Sequence, residues 1–268
     1  MTQKKMLNKL YRKIKDWKAY ICVSVIAELI IVAVCIYVYI VYGVNRPERG
    51  NVCLYDEMMY FEYYGLELLL IIPVVIVAGL LLKSSHRCAV IVRFTDLRKY
   101  WNNICKNAAV ICIYITSLLC INFWVSGMAV LCITDNFIIC NWDMPDSRYK
   151  YVMGIAADRC PVPGEFAIYI YAEIFSVIFV SVMIMEVFYW ISMNKAVGMM
   201  AAIVWICMDR YVYVTHILFA VITMMPGRVV KMYGITPVRC LVYPLAVCLI
   251  VYIMSLVIVR RRDILYKE

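Results

Sequence analysis

The stretch "FAIYIYAEIFSVIFVSVMIMEVFYWI", residues 166–191, decides the class of fold. Glu173 and Glu186 are its only charged residues, and it is longer than the roughly 20 helical residues that cross the hydrocarbon core of a bilayer. Its apolar residues are continuous and do not alternate with polar ones, as they would in a strand of a membrane barrel. In lipid, each helical span satisfies its own backbone hydrogen bonds. The stretch therefore predicts a transmembrane helix.

Similar apolar blocks recur along the chain of 268 residues, which is 65% hydrophobic and 17% charged. Together they predict an all-α polytopic membrane protein with six transmembrane helices, at residues 20–42, 66–82, 108–134, 166–191, 196–224 and 240–259. Residues 1–19 precede this transmembrane domain (20–259), and a basic tail, 260–268, follows it. The first span is too long for the apolar region of a cleavable signal peptide, so we expect the N-terminus to stay attached.

Lys and Arg residues are distributed unevenly between the two sides of this arrangement. Of the 27, 18 fall on the side that carries both termini and 8 on the opposite side. The positive-inside rule therefore predicts a multi-pass protein of the cell membrane with both termini in the cytoplasm. The net charge of +9 follows from this bias and favours contact with anionic membrane lipids. No nucleic-acid recognition motif accompanies the charge, so no nucleic-acid partner is expected.

The N-terminal segment, residues 1–19, has apolar residues at helical spacing and basic residues on the other face. This pattern predicts an amphipathic helix that lies in the membrane interface. A plain basic anchor that only sets orientation is the alternative. The apolar face comprises Leu7, Leu10, Tyr11, Ile14 and Trp17.

The sequence contains no recognisable catalytic apparatus. His86 and His216 are the only histidines, and there is no Walker A loop, no G-x-S-x-G elbow and no C-x-x-C pair. The chain is therefore not expected to be an enzyme, to hold a metal or to carry a cofactor of its own. Cys53, Cys140 and Cys160 lie on the predicted outer side, where one disulfide is conceivable.

Two adjacent charged residues, Asp209 and Arg210, fall within the fifth predicted span. A charge at the bilayer centre costs about 2.5 to 3.5 kcal/mol, so we expect each to be paired or to face a cavity. Glu28, Glu173 and Glu186 are the candidate partners for Arg210. Three interpretations remain open at this point: a structural ion pair, a transport pathway, and a fifth span that is shorter than predicted, with the pair in an aqueous cleft.

The loop between the second and third spans contains "IVRFTDLRKYWNNICK", residues 91–106. A helix here would carry an apolar stripe beside several charged residues. Large aromatic residues next to arginine are favoured in protein–protein interfaces. The segment therefore predicts a docking helix with the stripe Ile91, Phe94, Leu97, Trp101 and Ile104.

Six spans, an amphipathic N-terminal helix, the loop motif "RFTDLRKYW" and the tail "RRRDILYKE" resemble the permease subunits of type-2 ABC transporters. The likeness is closest to bacterial permeases of bacteriocin and lantibiotic export or immunity. It implies a coupling helix between spans 2 and 3 that lodges in a separate ATPase subunit, and a second permease chain that completes the pathway. ATP and Mg would belong to the ATPase. The residues implied to face it are Arg93, Phe94, Asp96, Arg98, Lys99, Tyr100 and Trp101.

The sequence thus leads to one expected function and two alternatives. The expected function is the membrane subunit of an ABC exporter for a hydrophobic or amphipathic substrate, such as a bacteriocin peptide or a lipid-like compound. The first alternative is a secondary transporter driven by protonation of Asp209 or Glu186, although the two halves show no obvious internal repeat. The second is a membrane sensor or assembly scaffold that transports nothing.

Overall fold

The computed structural model describes residues 67–82, 96–133, 163–211 and 237–263, together with residues 25, 28, 29, 32, 33, 36, 37 and 40. All regular structure in this part of the chain is helical, which confirms the all-α prediction at that level. The helices are α1 (Glu67–Leu82), α2 (Leu97–Ile133), α3 (Pro163–Ser192), α4 (Lys195–Tyr211) and α5 (Pro237–Asp263). The predicted interfacial helix, with Leu7 to Trp17, lies outside the described residues.

Among the described residues, three helices contain segments long and apolar enough to cross a membrane, namely Leu97–Ser126, Tyr171–Ser192 and Leu241–Val259. They correspond to the spans predicted at 108–134, 166–191 and 240–259. The spans predicted at 66–82 and 196–224 appear as the shorter helices α1 and α4, with the remainder of the latter span outside the described part. Helices long and apolar enough to span a membrane are therefore present in the described part of the chain, in agreement with its composition.

Helix α3 is the centre of the bundle and contacts each of the other four helices. In α3, 61% of the most apolar segment is buried inside the protein. The corresponding buried share is 29% in α2 and 28% in α5. The hydroxyls of Ser176 and Ser181, both buried on α3, donate to the carbonyls of Ala172 and Val177 one turn earlier. These polar groups are satisfied within their own helix, so α3 can be enclosed by apolar neighbours.

A very short connection joins α3 to α4. Met193 takes a left-handed backbone conformation, with φ 55°, and its N–H donates to the carbonyl of Tyr189 at 2.7 Å. The Oδ1 of Asn194 accepts from the N–H of Ala196 at 3.0 Å, which caps the start of α4. Four residues on, Gly198 lies so close to α3 that a Cβ atom there would be 2.5 Å from the carbonyl oxygen of Met185. The two helices therefore form a tightly packed hairpin.

Helix α2 begins well before the boundary predicted for the third span. It starts at Leu97 instead of residue 108 and continues without interruption to Ile133. No proline or glycine occurs between Leu97 and Ser126 to break the helix. From Leu97 onward, the segment predicted as a docking helix is therefore the first part of a membrane-crossing helix and not a separate element.

Candidate functional site

A buried aromatic cluster, formed by Tyr100 and Trp101 of α2 and Trp190 of α3, fills one end of the bundle. Tyr100 and Trp101 are both 0% exposed. The ring centroid of Trp190 lies 5.7 Å from that of Tyr100 and 6.3 Å from that of Trp101, in tilted arrangements typical of favourable aromatic packing. The cluster fixes the beginning of α2 against the end of α3.

Polar contacts attach the same part of α2 to α5. Trp101 Nε1 donates to Ser255 Oγ at 2.9 Å, and Ser255 Oγ in turn donates to the carbonyl of Tyr252 at 2.7 Å. The Tyr252 hydroxyl donates to Asn102 Oδ1, also at 2.9 Å. Because the indole N–H of the buried Trp101 is satisfied by Ser255, its burial carries no unpaired-donor penalty.

Tyr100 and Trp101 were expected to face an ATPase. Both side chains are fully buried and point into the bundle of their own chain, and a contact of this part of α2 with an ATPase stays a prediction. The predicted apolar stripe itself is correct in part: Trp101 and Ile104 are fully buried, and Leu97 packs against the same core. The stripe of α2 is covered by α3 and α5.

The first turn of α2 also carries the charged residues of the predicted docking segment, and these are exposed. Asp96, Arg98 and Lys99, here called the charged turn, stand at the surface directly beside the buried cluster. Asp96 Oδ1 accepts from the N–H of Arg98 at 2.9 Å, so Asp96 caps the helix as well as presenting a charge. Arg93 and Phe94 lie outside the described residues.

The contacts of the cluster bring three helix ends together. The start of α2 meets the end of α3 through Trp190 and the last third of α5 through Ser255. If successive spans cross a bilayer in alternate directions, the start of the third span lies on the same side as the ends of the fourth and sixth spans. Helix α2 therefore runs antiparallel to α3 and α5, and the alternation of the six predicted spans across a bilayer stays a prediction.

A buried carboxylate lies at the same end of the bundle. Glu186 is 3% exposed and is close enough to Tyr100 and Cys105 to act on both electrostatically. It borders a cavity of about 10 Å³, which has room for one water molecule at most. The cavity is lined by Gly79, Met185, Glu186, Tyr189, Lys195 and Met199.

The charged residues predicted inside the membrane do not form one cluster in the part of the chain that the structure describes. Glu28 Oε1 accepts a hydrogen bond from Ser126 Oγ, near the far end of α2. Glu173 and Glu186 lie on α3, separated by about 20 Å along the helix axis. The side chains of Asp209 and Arg210 lie outside the described residues, so the predicted pairing of Arg210 stays a prediction.

No protein-family model, curated protein or solved structure matches this chain. Within the described helices, no three His, Cys, Asp or Glu side chains come together as a metal site would require.

The sequence did not single out Trp190, Ser255, Tyr252 and Asn102 as parts of the site. Trp190 lies at the end of the fourth predicted span, on the same side of the membrane as the docking segment. This shared position could have indicated that the two are in contact. Nothing in the sequence indicated that Ser255 and Tyr252 contact α2, because an isolated hydroxyl in an apolar span does not identify its hydrogen-bond partner.

Proposed function

We propose that this chain is the transmembrane permease subunit of an ABC exporter, which uses ATP hydrolysed with Mg by a separate ATPase subunit. The observation that carries the proposal is the charged turn, exposed at the bundle end and held by the buried aromatic cluster beneath it. An exposed patch on a rigid support can receive a partner and pass its movement into the membrane helices. Asp96, Arg98 and Lys99 make the contact in this account.

The aromatic cluster has a different role from the one that resemblance alone implies. Tyr100 and Trp101 do not touch the ATPase; they join the docking turn to Trp190 on α3 and to Ser255 on α5. When the ATPase pulls on the first turn of α2, these contacts make the ends of α3 and α5 move with it. Alternating access then follows from tilting of connected helices.

A second permease chain completes the pathway in this proposal, in the cell membrane with both termini in the cytoplasm. Helix α4 offers an exposed apolar stripe for that chain or for lipid, formed by Val197, Met200, Val204 and Met208. Pathway walls of this kind suit a hydrophobic or amphipathic cargo, such as a bacteriocin peptide or a lipid-like compound.

Secondary transport is a second candidate, favoured by the buried carboxylate of Glu186. The cavity beside Glu186 has room for a water molecule. In that candidate, Glu186 serves as a proton site while the cargo passes elsewhere. Transport that depends on a proton gradient and continues without ATP favours it over the exporter, and a chain that transports nothing favours a sensor or scaffold.

Reversing the charges of Arg98 and Lys99 is expected to abolish association with the ATPase. The double change Arg98→Glu with Lys99→Glu affects exposed side chains only, so the bundle stays folded. Affinity purification in mild detergent, with mass spectrometry to find a protein that contains a Walker A loop, measures the outcome. Lys106→Glu is the control, since it reverses one charge on an exposed residue about two turns further along α2 and is compared with Lys99→Glu alone as well as with the double variant.

The proposal fails if no ATPase accompanies the unmodified protein. It also fails in its assignment of the docking turn if the double variant retains the ATPase as fully as the Lys106→Glu control does.

A further inference from the structure

One exposed face of α2 changes from polar to apolar along its length. Lys99, Asn102 and Lys106 are exposed at helical spacing, and the same face continues with Val110 and Ile113, exposed by 58% and 48%. The change falls between Lys106 and Val110. An exposed helix face with this order is typical of a helix that passes from the headgroup region into the hydrocarbon core.

The length of α2 agrees with this placement. It has 37 residues, and therefore measures about 55 Å, whereas the hydrocarbon core is about 30 Å thick. Part of α2 must then stand outside the core. Since the apolar face begins after Lys106, the portion from Leu97 to Lys106 lies at headgroup level and beyond.

Helix α5 runs beside this face in the opposite direction. Ser255 contacts Trp101 and Tyr252 contacts Asn102, so lower residue numbers on α5 lie deeper along α2. One turn before Tyr252, Leu249 is 57% exposed, and Leu245 follows at 47%. On α2 the groove is thus polar from Asn102 to Lys106 and apolar beyond Lys106, and on α5 it is polar at Tyr252 and apolar from Leu249 onward.

The polar groups of this groove suit an anionic phosphate ester. Lys106 supplies an ammonium group about one turn below Asn102, on the same exposed face. Asn102 is exposed and accepts from Tyr252 through its Oδ1, so the N–H donors of its Nδ2 group remain for a ligand. Apolar side chains directly below fit acyl chains.

We propose that the groove between α2 and α5 binds an anionic phospholipid, with its phosphate at Lys106 and Asn102 and its acyl chains against Val110, Ile113 and Leu249. The site requires only that α2 and α5 cross a bilayer, and does not depend on the exporter proposal. Bound there, the lipid also contacts the two helices that the Trp101–Ser255 hydrogen bond holds together.

Lipid binding to the purified full-length chain in detergent tests this site, with phosphatidylglycerol as the anionic probe and phosphatidylcholine as the zwitterionic comparison. Native mass spectrometry across a lipid titration gives the affinity. We expect phosphatidylglycerol to bind more tightly than phosphatidylcholine, and Lys106→Gln to weaken its binding about fivefold, the effect of one basic residue near an anionic surface. Removing the Tyr252 hydroxyl with Tyr252→Phe is expected to weaken binding by a smaller factor.

Lys99→Gln is the matched control, because it removes the same charge from the same face about 10 Å farther from the apolar region. It is expected to change the affinity by less than twofold. Equal losses of lipid affinity for both variants would mean that diffuse surface charge, and not a defined site, attracts the lipid. An unchanged affinity for Lys106→Gln would refute the site. Competition by millimolar inorganic phosphate would overturn the lipid assignment in favour of a free-phosphate site, whereas the absence of competition supports it.

Discussion

Trp101→Ala is expected to lower the free energy of unfolding by about 3 to 5 kcal/mol, the range for removing a fully buried large aromatic side chain. Trp101 is 0% exposed, packs against Trp190 and donates a hydrogen bond to Ser255. The change leaves a cavity where α2, α3 and α5 meet and removes the hydrogen bond between α2 and α5. Thermal unfolding in detergent, followed by circular dichroism, measures the loss.

Two further variants separate packing from hydrogen bonding and from a general effect of losing tryptophan. Trp101→Phe keeps an aromatic ring but not the N–H, so we expect a loss of about 1 kcal/mol from the missing hydrogen bond, plus a modest packing term. Trp124→Ala makes the same chemical change on α2 at a side chain that is 56% exposed, and should cost much less. Equal losses for Trp101→Ala and Trp124→Ala would show that Trp101 is not in the core.

Gly198→Ala is expected to destabilise the protein by about 2 kcal/mol or more, although alanine is ordinarily favoured over glycine inside a helix by about 1 kcal/mol. The added Cβ would lie 2.5 Å from the carbonyl oxygen of Met185 and 3.2 Å from the Cβ of Tyr189. Because the first of these is a backbone atom of α3, the two helices of the hairpin must separate. The same unfolding measurement reports the change.

Gly79→Ala provides the contrast. The nearest atoms to a Cβ there are the Sδ and Cε of Met185, at 2.8 and 2.9 Å. A methionine side chain is flexible and can move away, so this substitution should be close to neutral. A Gly198→Ala variant as stable as Gly79→Ala would contradict the close approach of α3 and α4.

The bounds of a span could be predicted from the sequence where one continuous apolar block makes up the whole helix. The prediction of 166–191 agrees with Pro163–Ser192 to within a few residues, because few polar side chains interrupt it. The start of α2 was predicted too late because Arg98, Lys99 and Lys106 end the apolar block. The segment was therefore expected to be a separate docking helix, whereas from Leu97 onward it is continuous with the span. Polar residues end an apolar block without ending a helix.

The candidate site was predictable only in part, for a different reason. An apolar stripe indicates that one face of a helix is covered, but it does not indicate what covers it. Burial of Tyr100 and Trp101 against a partner protein and burial within their own bundle were therefore equally compatible with the sequence. The choice between the two depends on contacts such as Trp101 with Ser255, which are 154 residues apart in sequence. The exposure of Arg98 and Lys99 follows from their charge and was correctly expected.

Site-specific photo-crosslinking in cells shows directly whether the charged turn of α2 contacts an ATPase. A photoreactive amino acid at Lys99 is expected to capture a protein with a Walker A loop, identified by mass spectrometry. The same amino acid at Val110, equally on the exposed face of α2 but in its apolar part, should not capture it. Failure to capture an ATPase from position 99, or equal capture from position 110, would contradict the account.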